Sequence, residues 1–351
     1  MIAKDIADGD AWARLTADVG GDSAFASDWF VRGVLQHFDP DERARLFIVV
    51  RDDGEWLGVL AAEPAARFGR LPLRHWQGLL NANQFVGGPL VRRGGEAAFW
   101  QQLLPGLDQA EGHALALPML NAAHRVTRAL HAHCAATGRA ITVTRAFERA
   151  VLRPAEGLPP QSARRRARLR ALERKLARDH GPVNCTVAAS PAEVERWIGD
   201  FLAMELAGWK GAARSALASQ PGSKALFADV VRAAFTAGHI RCQSLMAGGR
   251  PVAMSAFFLN GAYGFGFKCC YDESFASYAP GILLLQHIMA LPEATRVTLF
   301  DSCSAPDEAT INGLWPGRAT MVDLCVATGG NWRYRAVMRA RRWWHRLKPA
   351  N

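Results

Sequence analysis

An acidic side chain follows directly after a short apolar strand in the second half of the chain. The strand ends at Phe300, Asp301 comes next, and Cys303 follows two residues later. A carboxylate at the end of a buried strand is a common position for a catalytic base, and it is equally common as a turn cap. No histidine lies near Cys303 in the sequence, so this cysteine is more typical of a buried thiol than of a nucleophile. Asp301 is therefore a candidate base.

Two further segments crowd charged and aromatic side chains around glycines. Glu205 lies near the end of a predicted helix, with Trp209 and Lys210 just after it. This spacing also fits an ordinary helix C-terminus, where the helix dipole favours a lysine. Lys268 lies on a glycine-containing strand that would let a ligand approach the backbone. Tyr271 and Asp272 follow it, and a strand that simply ends in a polar turn would look the same.

A predicted helix start supplies a candidate anion site. The sequence Ser277-Tyr-Ala-Pro-Gly281 opens the apolar helix that continues from Ile282. The first N–H groups of a helix bind anions, including the diphosphate of a coenzyme. Any helix start has this property, so the segment is a candidate only in combination with others. Standard nucleotide, zinc-protease and hydrolase motifs are absent from the sequence.

The elements that must position these residues occur twice. Two apolar runs flank Asp53-Gly54, and two similar runs flank Gly248-Gly249, which predicts two β-hairpins. Each hairpin is preceded by helical sequence and followed by strand, helix and strand. The pattern suggests two copies of one α/β unit. Ser190-Pro-Ala-Glu193 predicts a helix start with a capping box, and the proline-rich stretch 154–162 predicts a linker.

Several motifs together resemble one family. In their order and spacing over residues 162–327 they are similar to the CelD-type branch of the GNAT acyltransferase superfamily. The motifs are Glu205-x-x-Gly208-Trp209-Lys210-Gly211, Lys268-x-x-Tyr271-Asp272, Tyr278-x-Pro280-Gly281-x-Leu283-Leu284, Phe300-Asp301 and Leu314-Trp315-Pro316. The first half matches only in its strand plan and in Gly87-Gly88-Pro89-Leu90. The glycine loop typical of simple GNAT enzymes is missing.

The resemblance implies an α/β fold with tandem GNAT-like domains, because the related FemAB transferases contain two such halves. Each domain would be a mixed, mostly antiparallel, splayed sheet flanked by helices. We expect an N-terminal GNAT-like domain over residues 1–157 and a C-terminal acyltransferase domain over 158–330. A basic, Trp-rich amphipathic helix would follow over 331–351.

The resemblance also implies an acyl-CoA co-substrate, an amine acceptor, and neither a permanently bound cofactor nor a metal. Asp301 or Glu205 would accept the amine proton, Lys268 would stabilise the oxyanion or pair with a phosphate, and Tyr278 would protonate the leaving thiolate. The resemblance also implies which residues bind the coenzyme and the substrate. The coenzyme would lie on Ser277, Tyr278, Gly281 and Ile282, and the substrate on Trp209, Lys210, Tyr271, Asp272 and Trp315.

The placement of charge suggests where the protein acts. The net charge is +10, of which residues 164–180 carry +6 and residues 331–348 carry +7, so the rest is slightly acidic. Two basic helices at defined places suggest a phosphate-bearing ligand or an anionic membrane more than a nucleic acid. Seven cysteines without zinc spacing predict reduced thiols. With no transmembrane or signal segment expected, the composition predicts a cytoplasmic protein, peripheral on the inner face of the cytoplasmic membrane.

The C-terminal segment predicts an interfacial helix. Its apolar residues recur at helical spacing, while its arginines lie mostly off that stripe, a composition typical of helices in a membrane interface. The stripe comprises Trp332, Ala336, Ala340, Trp343, Trp344 and Leu347. The alternative is that the stripe docks on the protein's own body. We therefore expect removal of residues 332–351 to abolish membrane binding and leave the fold intact.

The sequence thus predicts a CoA-dependent N-acyltransferase acting on an amphiphilic amine such as a long-chain sphingoid base, as in the bacterial ceramide synthases that this branch resembles. One alternative is acetylation of an amino sugar for envelope polysaccharide. Another is a FemAB-like aminoacyl transferase or a non-catalytic GNAT binding module. Salt-sensitive RNA binding would indicate the aminoacyl transferase, and absence of CoA binding would indicate the module.

Overall fold

The computed structural model describes residues 2–3, 9–19, 23–156, 162–329 and 331–347. The chain forms two compact units. Unit 1 takes residues 1–31, 39–149 and 319–351, and unit 2 takes residues 32–38 and 150–318. The boundary expected at 157/158 and most of the expected linker lie outside the described residues.

Unit 1 is built mainly from the first half of the chain. Its strands and helices, in chain order, are β1 (Ile2–Ala3), α1 (Gly9–Val19), α2 (Asp28–Phe38), β2 (Arg45–Val50), β3 (Trp56–Phe68), β4 (Leu71–Gly78), β5 (Leu90–Val91), α3 (Glu96–Gln109), β6 (Ala114–Asn121), α4 (Arg125–Thr137) and β7 (Ile141–Leu152). The last seven residues of α2 and the last three of β7 belong to unit 2.

Unit 2 carries most of the second half. Its elements are α5 (Ala163–His180), β8 (Val183–Val187), α6 (Pro191–Ala207), α7 (Trp209–Ala212), α8 (Pro221–Thr236), β9 (Ile240–Ala247), β10 (Arg250–Asn260), β11 (Tyr263–Tyr271), α9 (Pro280–Met289), α10 (Pro292–Thr295), β12 (Leu299–Asp301) and α11 (Ala309–Leu314). The chain then passes into β13 (Gly317–Ala327) and α12 (Asn331–Leu347), and from Ala319 onward it belongs to unit 1.

Each unit contains a mixed, mainly antiparallel sheet flanked by helices, which confirms the predicted fold class. In unit 1 the strand order is β1-β2-β3-β4-β6-β13, and in unit 2 it is β8-β9-β10-β11-β12. The pairs β4–β6 and β11–β12 are parallel, and the other pairs described in these two orders are antiparallel. Two residues of β7, Val151 and Leu152, pair with β12.

The two units repeat one order of elements, as the paired hairpins predicted. An edge strand precedes helices, then come a hairpin and a third strand, and then a helix and a parallel strand. Both predicted hairpin turns form, with positive φ angles at Gly54, Gly248 and Gly249. Glycine adopts this left-handed region without the steric cost that a side chain would bring. Local turn chemistry therefore fixes both hairpins.

Helix α12 packs within unit 1 through a face other than the predicted apolar stripe. Tyr334 and Met338 are 2% and 1% exposed and join a core with Leu73 and Cys325. Trp332, in contrast, is 70% exposed. The predicted apolar stripe is therefore exposed at Trp332, Ala336 and Ala340. The side chains of residues 342–347 lie outside the described part. Among the described residues, no helix is long and apolar enough to cross a membrane.

Candidate active site

Helix α6 carries Glu205 into the interior of unit 2. The predicted capping box starts this helix: Ser190 Oγ accepts from the Glu193 N–H at 3.3 Å, and Glu193 Oε2 accepts from the Ser190 N–H at 3.2 Å. Phe201 stacks on Phe227 of α8, with 4.9 Å between ring centroids. Glu205 follows Phe201 by four residues and so shares its buried face. Only 4% of Glu205 is exposed.

Glu205 holds the end of its own helix together. Its Oε1 accepts from Lys210 Nζ at 2.8 Å, and its Oε2 accepts from the Leu217 N–H at 2.7 Å. Lys210 Nζ also donates to the carbonyl oxygen of Cys269 on β11, at 3.0 Å. Burial lowers the pKa of Lys210, but the Glu205 carboxylate outweighs it and keeps that pKa above its usual range. Glu205 and Lys210 thus form a buried ion pair that ties α6 to β11.

Lys268 lies on the same side of the sheet as this ion pair. Cys270 Sγ lies 3.8 Å from the Phe201 carbonyl oxygen of α6, and residues two apart on a strand share a face. A β-bulge at Phe267 turns that ring to the same side, where it stacks on Phe227. Burial, and then the charge of Lys210, lowers the pKa of Lys268 to about 8. Lys268 is therefore a cation that loses its proton unusually easily.

Asp301 ends strand β12 on that same side. Phe300 packs against Phe257 and Trp315 in the core beneath the other side of the sheet, so the alternation of strand side chains turns Asp301 toward α6. Asp301 is 2% exposed, and its Oδ1 accepts from the Cys303 N–H at 2.8 Å. Cys303 has a φ of 53°. Asp301 thus caps a turn with left-handed backbone, and the capping role that its position allowed is present.

Strands β11 and β12 pair over only three residues. Tyr263, Gly264 and Phe265 face Leu299, Phe300 and Asp301, and β11 then continues to Tyr271 beyond the end of β12. The backbone just after β12 still lies close to β11 at Gly266, because a Cβ there would lie 2.5 Å from the Ser302 carbonyl oxygen. Because β12 ends at Asp301 while β11 continues, β12 does not pair with the backbone edge of β11 beyond Phe265. This edge can hydrogen-bond an extended ligand.

Tyr278 is held by helix α5. Its hydroxyl donates to Asp179 Oδ2 at 3.0 Å and lies 3.1 Å from His180 Nε2, while Lys175 Nζ lies 4.2 Å from its ring centroid. The hydrogen bond from Lys175, and then that from Tyr278, lowers the pKa of Asp179 to about 2. Tyr278 is 8% exposed and belongs to the core that includes Phe257 and Phe300. It therefore fastens α5 to the start of α9.

The start of α9 is accessible at some of the predicted coenzyme contacts. Ser277 and Gly281 are exposed, and a Cβ on Gly281 would lie 3.8 Å from Tyr271 Cδ1. The Ile282 N–H already donates to the Ala279 carbonyl oxygen at 3.0 Å. Of the predicted group, Ser277 and Gly281 are thus the better placed to meet an anion.

Two predicted substrate contacts have structural partners. Asp272 Oδ1 accepts from the Ser274 N–H at 3.0 Å and so caps the short helix 273–278, and its Oδ2 accepts from Arg250 Nη2 at 2.6 Å. Trp315 is 4% exposed and packs edge-on against Phe300. The structure places Trp315 in the core of unit 2 rather than on an accessible surface.

Three large apolar side chains, one each in α6, α7 and β11, are exposed. Leu206 is 47% exposed, Trp209 is 59% exposed and Tyr271 is 37% exposed. The Trp209 N–H donates to Glu273 Oε1 at 2.6 Å, which joins the end of α6 to the segment after β11. We call Leu206 and Trp209, which adjoin Glu205 and Lys210 in the sequence, the apolar rim, whereas Tyr271 lies on the other face of β11. Exposed apolar groups gathered beside buried charges are typical of a binding site.

The corresponding place in unit 1 is filled by the chain itself. There β4 and β6 pair in parallel only at Trp76–Leu115 and Gln77–Ala116, and β4 ends at Gly78. Gly87 then lies against β6: its N–H donates to the Met119 carbonyl oxygen at 3.1 Å, and a Cβ on it would lie 2.2 Å from the Pro118 carbonyl oxygen. Gly87 therefore pairs with β6, the counterpart of β12, beyond the residues at which β6 pairs with β4.

Sequence reasoning missed the groups that hold the site in place. Glu273, the Leu217 N–H and the Cys269 carbonyl oxygen have no signal in the spacing, since they meet only through the tertiary fold. Leu206 could have been found, because it lies within the Met204–Gly211 segment. In the parts of the chain that the structure describes, no three His, Cys, Asp or Glu side chains cluster as a metal site.

One family model matches the chain. Residues 163–308 match the model described as an acetyltransferase (GNAT) domain, and this stretch includes Glu205, Lys268, Tyr278 and Asp301. No curated protein matches the sequence of the chain. The match covers less than half of the chain and falls on the unit that contains the candidate site.

Solved structures with this fold cover nearly the whole chain. A conserved protein of unknown function from Bacteroides thetaiotaomicron is 12% identical with a TM-score of 0.59, covering 92% of this chain and 98% of its own. The C-terminal domain of a putative lysylphosphatidylglycerol synthetase from Agrobacterium fabrum is 13% identical with a TM-score of 0.55, covering 95% and 96%. FemX is 11% identical with a TM-score of 0.55, covering 91% and 96%. At such identities the likeness concerns the fold.

Proposed function

We propose a more specific activity, starting from the match of residues 163–308 to a GNAT domain model, which indicates an acyltransferase. The protein transfers an acyl group from acyl-CoA to the nitrogen of an amphiphilic amine such as a long-chain sphingoid base. The observation that carries this proposal is the apolar rim beside the buried Glu205–Lys210 pair. Burying exposed apolar surface contributes roughly 25 cal/mol per Å², so the rim favours a substrate with an aliphatic chain over a soluble sugar amine.

The donor is proposed to lie along β11. An extended pantetheine arm would hydrogen-bond the backbone edge that β12 leaves beyond Phe265. The diphosphate would meet the start of α9 near Ser277 and Gly281, where the helix dipole favours negative charge. This arrangement puts the thioester near Lys268. Ile282, Tyr271 and Asp272 complete the proposed binding group as neighbours of these contacts.

The chemical step requires one base and one group that stabilises negative charge. The amine nitrogen attacks the thioester carbonyl carbon, the C–N bond forms, and the C–S bond of the tetrahedral intermediate then breaks. We assign the base to Asp301, which ends β12 on the same side of the sheet as Lys268. Glu205, whose oxygens accept from Lys210 Nζ and the Leu217 N–H, serves to position Lys210. Lys268 in its protonated form stabilises the oxyanion or pairs with a phosphate.

Tyr278 has a second proposed role besides its structural one. As the proton donor to the leaving thiolate it would complete the reaction, while its hydrogen bond to Asp179 fixes the ring. Trp209 and Lys210 are proposed to border the acceptor, and Trp315 supports Phe300 from below. Because a sphingoid acceptor resides in a membrane, we also propose that the protein works at the inner face of the cytoplasmic membrane.

A second candidate is an aminoacyl transferase. One structure of similar fold is named as a domain of a putative lysylphosphatidylglycerol synthetase, and another is FemX. In this case the donor would be an aminoacyl ester of an RNA, and helix α5 with its exposed arginines would be the element to contact it. The same backbone edge and the same Lys268 would then serve a different donor.

Thermal denaturation with different donors distinguishes these candidates. A donor at 100 times its Kd stabilises the folded protein by about 2.7 kcal/mol. We expect palmitoyl-CoA to raise the Tm more than acetyl-CoA does. We also expect the protein to transfer the palmitoyl group of palmitoyl-CoA to a sphingoid base. Stabilisation by RNA with strong salt dependence would favour the aminoacyl transferase. If no thioester raises the Tm and no acylated amine forms, the proposed function is wrong.

A further inference from the structure

Helix α12 has two faces with different surroundings. On one face the Tyr334 hydroxyl donates to the Cys325 carbonyl oxygen at 2.7 Å, and Met338 is fully buried. Arg341 Nη2, also on this side, donates to the Thr144 carbonyl oxygen at 2.7 Å. These contacts lie one helical turn apart and fix the helix along unit 1. The rotation of the helix about its axis is therefore set by the protein itself.

The opposite face is exposed and combines aromatic, small and basic side chains. Trp332 is 70% exposed, and Ala336 and Ala340 continue the same strip at four-residue spacing. Arg335 and Arg339 are exposed and border the strip. The segment 331–347 contains no aspartate or glutamate, so nothing within the helix neutralises these arginines. We call Trp332, Arg335, Ala336, Arg339 and Ala340 the outward face.

We propose that the outward face of α12 lies on an anionic lipid bilayer, with Trp332 in the interfacial layer and Arg335 and Arg339 on lipid phosphates. This inference rests on the proposed function only for the identity of the substrate that would be found there. Tryptophan is favoured at the membrane interface, and arginines border such helices because their stems lie on apolar surface while their heads reach the phosphates. A nucleic-acid duplex would pair with the arginines but would leave the Trp–Ala strip in water.

Sedimentation with vesicles tests this surface without relying on catalysis. The full chain is mixed with vesicles of phosphatidylcholine alone, or with vesicles in which about a third of the lipid is phosphatidylglycerol. Binding is expected only with the anionic vesicles and is expected to weaken as salt is raised. Since each basic residue at such a surface contributes about a fivefold change in binding, R335Q/R339Q should lower the partition coefficient roughly 25-fold. W332A should lower it as well.

A charge-matched control separates a specific face from overall charge. Arg168 and Arg170 are exposed on α5, so R168Q/R170Q removes the same two charges elsewhere and should bind nearly as wild type. If the control loses as much binding as R335Q/R339Q, or if W332A/R335Q/R339Q binds as wild type, the inference is overturned. Binding to RNA without binding to vesicles would overturn it too.

The outcomes separate this inference from the proposed function. Acylation of a sphingoid base dispersed in detergent and the donor-induced rise in Tm are measured without vesicles, so they test the proposed function separately from vesicle binding. A protein that binds anionic vesicles but uses no thioester would sustain the surface and refute the function. A protein that acylates amines in solution but does not bind vesicles would support the proposed function and refute the lipid-binding surface. The unfolding temperature of each variant confirms that Tyr334 and Met338 still hold the helix.

Discussion

Lys210 Nζ lies 2.8 Å from Glu205 Oε1, and the pair joins the end of helix α6 to strand β11 inside unit 2. Glu205 is almost completely buried, and about a quarter of the Lys210 side chain remains accessible. A buried carboxylate costs free energy unless it is paired and hydrogen-bonded, and here both oxygens are satisfied. The pair therefore fixes the positions of Trp209 and of the Cys269 backbone relative to each other.

Replacing Glu205 by glutamine should destabilise the protein more than it alters the chemical step. Removing one partner of a buried ion pair costs about 3–5 kcal/mol, because Lys210 is left without its counter-charge. We expect a fall of several degrees in Tm, with at least a tenfold loss of turnover that follows from displaced Lys210. Asp200→Asn, an exposed site on the same helix, is the control. A Tm equal to that of the control would contradict the structural role of Glu205.

Lys268 should give the protein a measurable pH dependence near pH 8. Its folded-state pKa of about 8 lies below the ordinary value of 10.5, so the unfolded chain binds more protons between these values. Stability contributed by this group is therefore lowest below pH 8 and rises as the pH increases toward 10.5. Denaturant unfolding across this range should show the rise in wild type but not in Lys268→Met, with exposed Lys224→Met as the control.

The same titration should limit activity. If protonated Lys268 stabilises the oxyanion or a phosphate, kcat/KM should fall above about pH 8. Lys268→Arg, which stays protonated, should move that limb to higher pH. An unchanged alkaline limb in Lys268→Arg would show that another group is responsible.

Asp301→Asn should separate chemistry from folding. Asparagine keeps an oxygen that accepts from the Cys303 N–H, so the turn and the Tm should be preserved. It cannot accept the amine proton, so we expect turnover to fall by at least tenfold. Asp301→Ala should lose both turnover and stability. Near-normal rates in Asp301→Asn would remove Asp301 as the base.

Trp209→Ala should change the preference for substrate length. Trp209 is the most exposed member of the apolar rim, so its loss should raise KM for long-chain substrates several-fold and leave short ones nearly unaffected. The measurement is the ratio of kcat/KM for palmitoyl-CoA and acetyl-CoA, and for long and short amines. Val187→Ala, an exposed apolar site on β8, is the matched control. Equal effects on long and short substrates would exclude an aliphatic contact.

Removal of residues 332–351 should unfold part of unit 1, contrary to what the sequence favours. Tyr334 and Met338 are buried with Leu73 and Cys325, and deleting a large buried side chain costs about 3–5 kcal/mol. A chain that ends after Arg341 keeps these contacts and should remain folded. Circular dichroism during heating distinguishes the two. A wild-type Tm for the chain that lacks residues 332–351 would show that Tyr334 is dispensable.

Local patterns gave much of the fold before any coordinates. The turns at Gly54 and Gly248-Gly249, the capping box at Ser190 and the repeated order of elements follow from short-range chemistry, and all of them are present. The motifs around Glu205, Lys268, Tyr278 and Asp301 fall within the stretch that matches a GNAT model, and Leu314-Trp315-Pro316 lies beyond it. These features depend on neighbours in the sequence, so the sequence is sufficient to predict them.

Other features depend on which elements pack together. The sequence by itself determined that Glu205 and Lys210 are near each other, that Asp301 ends a strand and that the C-terminal helix is amphipathic. Only the three-dimensional structure shows that Glu205 accepts hydrogen bonds from Lys210 and the Leu217 N–H. It also shows that the Tyr278 hydroxyl donates to Asp179. It also decided that α12 buries Tyr334 and Met338 rather than Trp332. Periodicity defines the faces of a helix, but which face is buried depends on the shape and polarity of the surface against which it packs.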